Sequence, residues 1–262
     1  MKIAIHQSPG TPCDAARNLA TLREAAAAAA REGVSLLICP EMFLTGYNIG
    51  EAISSLAEPA DGTSARRVAG IAQELGIAVL YGYPERSGDK IYDAALLIGH
   101  DGRTLANYRK THLFGLMEKG AFAPGQELMS VDFDGLRIGL LICYDIEFPE
   151  TVRAYAMADI DLVAVPTALM KPYDNVARSL VSTRAFENQL FIAYANRCGQ
   201  EDDIEYTGLS CVCGPDGADI ARAGSSEELI IAELNLAERT RVKARFNYID
   251  DLRPALYKGL TR

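Results

Sequence analysis

Cys143 stands where an apolar strand gives way to a helix. The run Ile138 to Ile142 reads as a buried strand. Phe148-Pro149-Glu150 reads as a first helical turn, with proline near N1 and acids at the positive end of the helix dipole. Such a corner holds a thiol still and exposed. An unperturbed cysteine has a pKa of about 8.5 and is mostly protonated near neutral pH, so a nucleophilic one needs a base or a positive neighbour. Two earlier segments offer both. Val34 to Phe43 is an apolar strand that stops at Pro40 and presents Glu41 just past its end, and Arg103 to Leu113 is a strand closing on Lys110. Ligand crevices of open α/β sheets form at strand ends. A thiol, a carboxylate and an ammonium brought together there can attack a carbonyl, move the thiol proton and stabilise an oxyanion. Each also has a plainer reading: a small apolar core residue, a solvated loop acid and a surface charge.

A cysteine paired with histidine is the competing arrangement. Of the three histidines, His100 lies in the turn His100-Asp101-Gly102, which leaves His6 and His112. His112 points by alternation to the same side as Lys110 and either lines the site or braces it. The six cysteines are too sparse for a disulfide framework, and Cys211-Val212-Cys213 reads as alternate faces of one strand. No second Cys/His pair stands at metal-ligand spacing, so no metal and no cofactor is expected. A net charge of −9 without a Lys/Arg cluster argues against nucleic acid and mildly favours a cationic substrate. No apolar run reaches the roughly 18 residues that span a bilayer, and Met1 to Gln7 reads as a strand rather than a signal peptide. A cytoplasmic enzyme without membrane contact is the expectation.

The elements that must position these groups alternate along the chain. Asp14 caps an alanine-rich helix reaching about Glu32 and stopped by Gly33, and a second helix runs from about Ser64 to Leu75 and stops at Gly76. Asp101-Gly102, Asp134-Gly135 and Asp216-Gly217 each separate strand-like runs and predict hairpins beside the parallel units, hence a mixed sheet. Ile160 to Val165 is another buried strand, ending at Pro166-Thr167-Ala168. A helix over Asn175 to Gln189 and a late strand over Leu229 to Leu234 complete the pattern. Thr111 to Leu128 shows no clear periodicity and reads as a long functional loop. No repeat or linker divides the 262 residues.

Pro40-Glu41, Tyr108 through Leu113 and Cys143-Tyr144-Asp145, in this order and at these separations, resemble the nitrilase superfamily of carbon–nitrogen hydrolases. The likeness extends to Phe122-Ala123-Pro124-Gly125, Arg184 through Asn188, Asn196-Arg197, Gly208-Leu209-Ser210 and Gly214 through Gly217. Within the superfamily, Pro40 through Gly50, Tyr81 through Arg86, Asn107 through Gly115 and Cys143 through Glu150 resemble the aliphatic amidase branch that includes 5-aminopentanamidase. Many members carry arginine where this chain has Glu147.

The resemblance implies an α/β fold, a four-layer α-β-β-α sandwich formed as one domain over residues 1–262. It also implies a homodimer that buries the helices after Cys143 and around Arg184 to Gln189. It casts Glu41 as general base and then acid, Cys143 as nucleophile, and Lys110 with the backbone N–H of Tyr144 as oxyanion donors. A second glutamate orients the site: by spacing Glu118, with Glu127 the nearby alternative. A glutamate that serves as base and then acid needs the effects of burial and of a nearby ammonium to balance near working pH. Tyr47, Tyr144, Thr167 and Tyr173 follow strand ends and could line the pocket. Glu147 either pairs with an ammonium on the substrate, or caps a helix, or joins an internal salt bridge. The implied substrate is a small aliphatic amide; a nitrile, an N-carbamoyl amine, and a non-catalytic metabolite-binding relative remain the alternatives.

Overall fold

The computed structural model describes residues 1–257. In the first half, β1 (Lys2–Gln7), β2 (Leu36–Ile38), β3 (Ala78–Ser87), β4 (Lys90–Ile98) and β5 (Thr104–Arg109) lie in that order in one sheet. In the second half, β6 (Met129–Phe133), β7 (Leu136–Leu140), β8 (Leu162–Thr167) and β9 (Phe191–Asn196) begin another. A hairpin of β10 (Cys198–Glu201) and β11 (Ile204–Thr207) follows. Then β12 (Cys211–Cys213) and β13 (Asp219–Arg222) extend the second sheet beyond β9. The last strand, β14 (Glu228–Glu233), returns to the first sheet and pairs antiparallel with β1. Strands β1-β2-β3 and β7-β8-β9 are parallel, and the outer pairings are antiparallel. The expected mixed sheets are therefore two, packed face to face.

Strand alternation feeds two separate cores. On β1, Ile3 and Ile5 enter the space between the sheets while Ala4 faces outward; Leu36 and Ile38 on β2 point inward while Leu37 points outward. The outward set meets α1 (Ala15–Arg31) and, beyond the short α2 (Ala52–Leu56), α3 (Thr63–Leu75). These helices present Leu19, Leu22, Ala26, Val68 and Ala72. After α4 (Gly115–Ala121), α5 (Pro149–Met157) and α6 (Val181–Asn188) cover the far face of the second sheet with Val152, Tyr155, Ala156, Val181 and Ala185. The result is the α-β-β-α sandwich. Each of these fully buried Leu, Ile or Val side chains contributes about 1.5–3 kcal/mol relative to an exposed one.

Asp14 caps α1 by accepting the N–H of Arg17 at 2.9 Å, and Gly76 ends α3 in the left-handed conformation. The three Asp-Gly turns join β4 to β5, β6 to β7 and β12 to β13. Asp134 and Gly135 both have positive φ, as a two-residue hairpin of the right twist requires. Two expectations change. The segment 111–128 is not all loop, because it contains α4; a seven-residue helix is too short for periodicity to reveal. Asn175 to Gln189 is not uniformly α-helical: a π-helical turn, Val176–Leu180, leads into α6. Helix α7 (Leu236–Arg245) follows β14. The six cysteines are all free, with the sulfurs of Cys211 and Cys213 3.8 Å apart along β12. No helix among the described residues is long and apolar enough to cross a membrane.

Candidate active site

Glu41, Lys110, Glu118 and Cys143 come together where the parallel strands of both sheets end. The segment after β2 carries Glu41 and is held by backbone contacts that leave no room for error. Gly82 N–H donates to Pro40 O at 3.1 Å, and Leu44 N–H donates back to Gly82 O at 3.1 Å. A Cβ on Gly82 would lie 2.4 Å from Met42 N and 2.6 Å from Glu41 Cα, so only glycine lets β3 approach this closely. The buried Arg197 guanidinium donates from Nη1 to Met42 O at 3.2 Å and from Nη2 to Pro9 O at 2.6 Å. Met42 itself sits at φ +49°, a conformation that this surrounding lattice sustains.

Lys110 is the first residue past β5. Its N–H donates to Asp93 O at 2.9 Å and its carbonyl accepts from Gly125 N–H at 2.7 Å. Its Nζ donates to Glu41 Oε1 and to Glu118 Oε1, both at 2.6 Å, and lies 3.4 Å from Asp93 Oδ2; all four side chains are fully buried. Glu118 reaches this point from α4. Its Oε1 also accepts from the Tyr47 hydroxyl at 2.6 Å and its Oε2 from Phe114 N–H at 2.7 Å. Glu127 instead lines a separate surface groove with Tyr92 and Arg109.

Cys143 opens a 3-10 turn, Cys143–Glu147, with φ +44°, strained for any residue but glycine. The N–H groups at the start of such a turn have no helical carbonyl to bond, and that of Tyr144 makes no hydrogen bond among the described residues. Asp145 ties this corner to the lysine segment. Its Oδ2 accepts from Tyr108 OH at 2.8 Å and Ile142 N–H at 3.0 Å, and its Oδ1 accepts from Thr111 Oγ1 and His112 N–H, both at 2.8 Å. His112 is a brace: its Nδ1 is 2.9 Å from Asp145 Oδ1 and its ring stacks on Phe148 at 4.0 Å. His6 lies against Glu227, and burial pulls its pKa below the usual histidine value. Neither histidine is placed to serve as base to the thiol.

Electrostatics follow from burial. Burial pushes the Cys143 thiol well above its ordinary pKa and Glu41 adds to this, so the resting sulfur holds its proton and needs a base in the same step as attack. Burial alone would weaken the Lys110 ammonium, yet Glu41, Glu118 and Asp93 together hold its pKa well above the usual lysine value. Burial raises Glu118 despite the opposing pull of Lys110. The acid cluster Glu41, Asp93 and Glu118 has metal-ligand geometry, but the ammonium of Lys110 already fills its centre.

A cavity of about 220 Å³ opens onto Cys143, lined by Tyr47, Phe114, Tyr144, Ala168, Leu169, Met170, Tyr173 and Glu147. Glu147 makes no ion pair or hydrogen bond through its carboxylate among the described residues, and the N-cap of the following helix is Phe148, with no side-chain cap, so the capping and salt-bridge readings do not hold. Arg184 spends itself on the carbonyls of Ile146 and Glu147 and on Glu187. Thr167 is placed otherwise than expected. Its hydroxyl donates to Val165 O at 3.1 Å behind the wall, and the next three residues form the lining. The sequence alone assigned no site role to Asp93, Arg197 or Phe114. Asp93 carried a signal as an acid within the mostly apolar run Ile91 to Ile98 of β4, and Arg197 stood in the Asn196-Arg197 likeness.

The sequence profile of the carbon-nitrogen hydrolase family matches residues 2–244. "Hydrolase in pqqF 5'region" of Pseudomonas protegens is 50% identical, over 100% of this chain and 92% of its own length. An (R)-stereoselective amidase of Pseudomonas sp is 36% identical, over 97% and 92%. An amidase from Nesterenkonia sp. AN1, solved with acrylamide added at its active site cysteine, superposes with a TM-score of 0.90 at 34% identity, covering 99% of each chain. A mutant of that amidase is solved in complex with butyramide.

Proposed function

The chain belongs to the carbon–nitrogen hydrolase family and is an amidase of the nitrilase superfamily; on that premise we propose that it hydrolyses small aliphatic amides through a thioester on Cys143, with preference for amides that carry a distal ammonium. The observation that carries this reading is Glu147, a carboxylate without a partner among the described residues, in an otherwise apolar and aromatic cavity that ends at Cys143. Burial raises its pKa, while Lys110 and Arg184 oppose the rise. An unpaired carboxylate facing a small cavity is a site for a cation. At about 220 Å³ the cavity is smaller than the roughly 300–1,000 Å³ of drug-sized pockets, which suits a short acyl chain.

The chemistry runs on the residues gathered at the strand ends. Glu41 takes the proton of Cys143 as sulfur attacks the amide carbon, and hands it to the departing nitrogen, releasing ammonia and leaving the thioester. Lys110 and the N–H of Tyr144 stabilise each tetrahedral oxyanion; one such donor is worth about 10²–10³ in rate. Glu41 then deprotonates the water that cleaves the thioester. Glu118, fixed by Tyr47 and Phe114 N–H, holds Lys110 and thereby Glu41 in line. Tyr47, Tyr144 and Tyr173 shape the acyl pocket.

We place the enzyme in the cytoplasm, where reducing conditions keep a catalytic thiol and five further free cysteines intact. The whole chain acts as one hydrolase domain, with neither metal nor cofactor. It assembles at least as a homodimer through α5 and α6: Met157 is 60% exposed, and Phe186 packs edge-on to Tyr248 at the surface. Light scattering at the mass of one chain would defeat the dimer. A panel of matched amides, nitriles and N-carbamoyl amines tests the reaction. Ammonia and free acid from the amide alone is the expected result; carbon dioxide from the carbamoyl compound, or acid from the nitrile at a higher rate, would reassign it.

A further inference from the structure

Asp93 takes no part in the steps above, yet it is fully buried against them. Carboxyl oxygens of Glu41, Asp93 and Glu118 lie within 4.8 Å of one another, around the single ammonium of Lys110. Three carboxylates and one ammonium would leave two uncompensated buried anions, and a buried site takes up a proton rather than bear that cost. The donors decide which acid holds it. Glu41 and Glu118 each accept a 2.6 Å bond from Lys110, and Glu118 accepts two more, from Tyr47 OH and Phe114 N–H. Asp93 accepts none among the described residues: both its oxygens are without a hydrogen-bond donor there, and so is Glu41 Oε2. Carboxylates that accept donors are stabilised in the charged form; one that accepts none is the one to protonate. Burial and then Glu41 push Asp93 well above the carboxylate range, against the pull of Lys110, with Glu118 adding a smaller push. A proton on Asp93 makes it a donor beside an acceptor that lacks one.

We propose that Asp93 is a positioning residue, a neutral carboxylic acid that donates a hydrogen bond to Glu41 and limits the buried cluster to one net negative charge. The proposal rests on the reading of Glu41 as general base. The groups that face Asp93 come from every element packed on it: Glu41 after β2, Lys110 after β5 and Glu118 from α4, with Tyr47 and Cys143 one contact further out. By donating to ionised Glu41, Asp93 orients the base and stabilises its charge.

Asp93→Asn keeps a neutral donor at this position, whereas Asp93→Ala removes it. The asparagine variant should retain kcat within about tenfold and leave the acid limb of the kcat/KM–pH profile in place. The alanine variant should lose about 10- to 100-fold in kcat, as for a lost hydrogen bond to a charged group, and move the acid limb to higher pH. An acid limb that moves to lower pH by about one unit in Asp93→Asn would mean that an anion had been removed, and would overturn the proposal. So would an alanine variant with the wild-type limb. Difference infrared spectra of wild type against Asp93→Asn at neutral pH need neither turnover nor the alanine variant. The carbonyl stretch of a protonated carboxyl, present in wild type and lost in Asp93→Asn, supports the proposal, and its absence from wild type refutes it. Because that band does not depend on activity, the proton on Asp93 and the base role of Glu41 can fail separately.

Discussion

Replacing Glu147 by glutamine removes a charge while keeping size and polarity, and so separates attraction of a cation from shape. Two unit charges about 4 Å apart interact by about 4 kcal/mol at an effective dielectric of 20, and by about 1 kcal/mol in water. Glu147 is half-buried and the cavity opens to solvent, so the value lies between these limits, at about 1.5–3 kcal/mol. Each 1.4 kcal/mol is tenfold, so Glu147→Gln should lower kcat/KM for an ω-amino amide by about 10- to 100-fold. The uncharged amide of equal chain length should change by no more than about twofold, the ordinary scatter of an uninvolved substitution. Steady-state ammonia release from the two substrates, run side by side, gives the ratio. The pH dependence adds a sign. Only ionised Glu147 attracts an ammonium, and burial raises its pKa, so preference for the amino amide should fade on acidification at a higher pH than an ordinary glutamate would give. An unchanged preference in Glu147→Gln, or an equal fall for both substrates, would refute the reasoning.

Gly82→Ala forces a methyl against Met42 N and Glu41 Cα; overpacking of this kind costs about 1–3 kcal/mol, so the melting temperature should fall together with kcat. Calorimetry checks it, and a variant with wild-type stability and rate would show that the backbone gives way freely. Arg197→Met leaves the carbonyls of Met42 and Pro9 and the carboxylate of Glu201, 3.6 Å away, without their cation. Breaking a buried pair from one side costs about 3–5 kcal/mol, which denaturant titration would register as a lower midpoint.

The fold was legible because its strands alternate strictly: Ile3-Ala4-Ile5 and Leu36-Leu37-Ile38 each divide one strand between two cores, and Asp-Gly turns mark where pairing becomes antiparallel. Glu41, Lys110 and Cys143 were legible because each lies within three residues of a strand's end, where local sequence fixes position. Glu118 was found by resemblance and spacing, since α4 is too short to show a helical period. Thr167 was misplaced by one residue of a strand end, which reverses the face a side chain takes. Asp93 and Arg197 act through contacts between segments far apart in sequence, Arg197 reaching Met42 across 155 positions. No local pattern encodes such contacts.

On the proposed mechanism, amide cleavage passes through the sulfur of Cys143. Ammonia release from a short aliphatic amide by Cys143→Ala, with folding verified by circular dichroism, tests it most directly. Loss of the nucleophile should lower the rate by about 10⁴-fold or more, because Glu41 and Lys110 are left with no sulfur to activate. Turnover within about tenfold of wild type would contradict the account, since water attack would then suffice without a thioester.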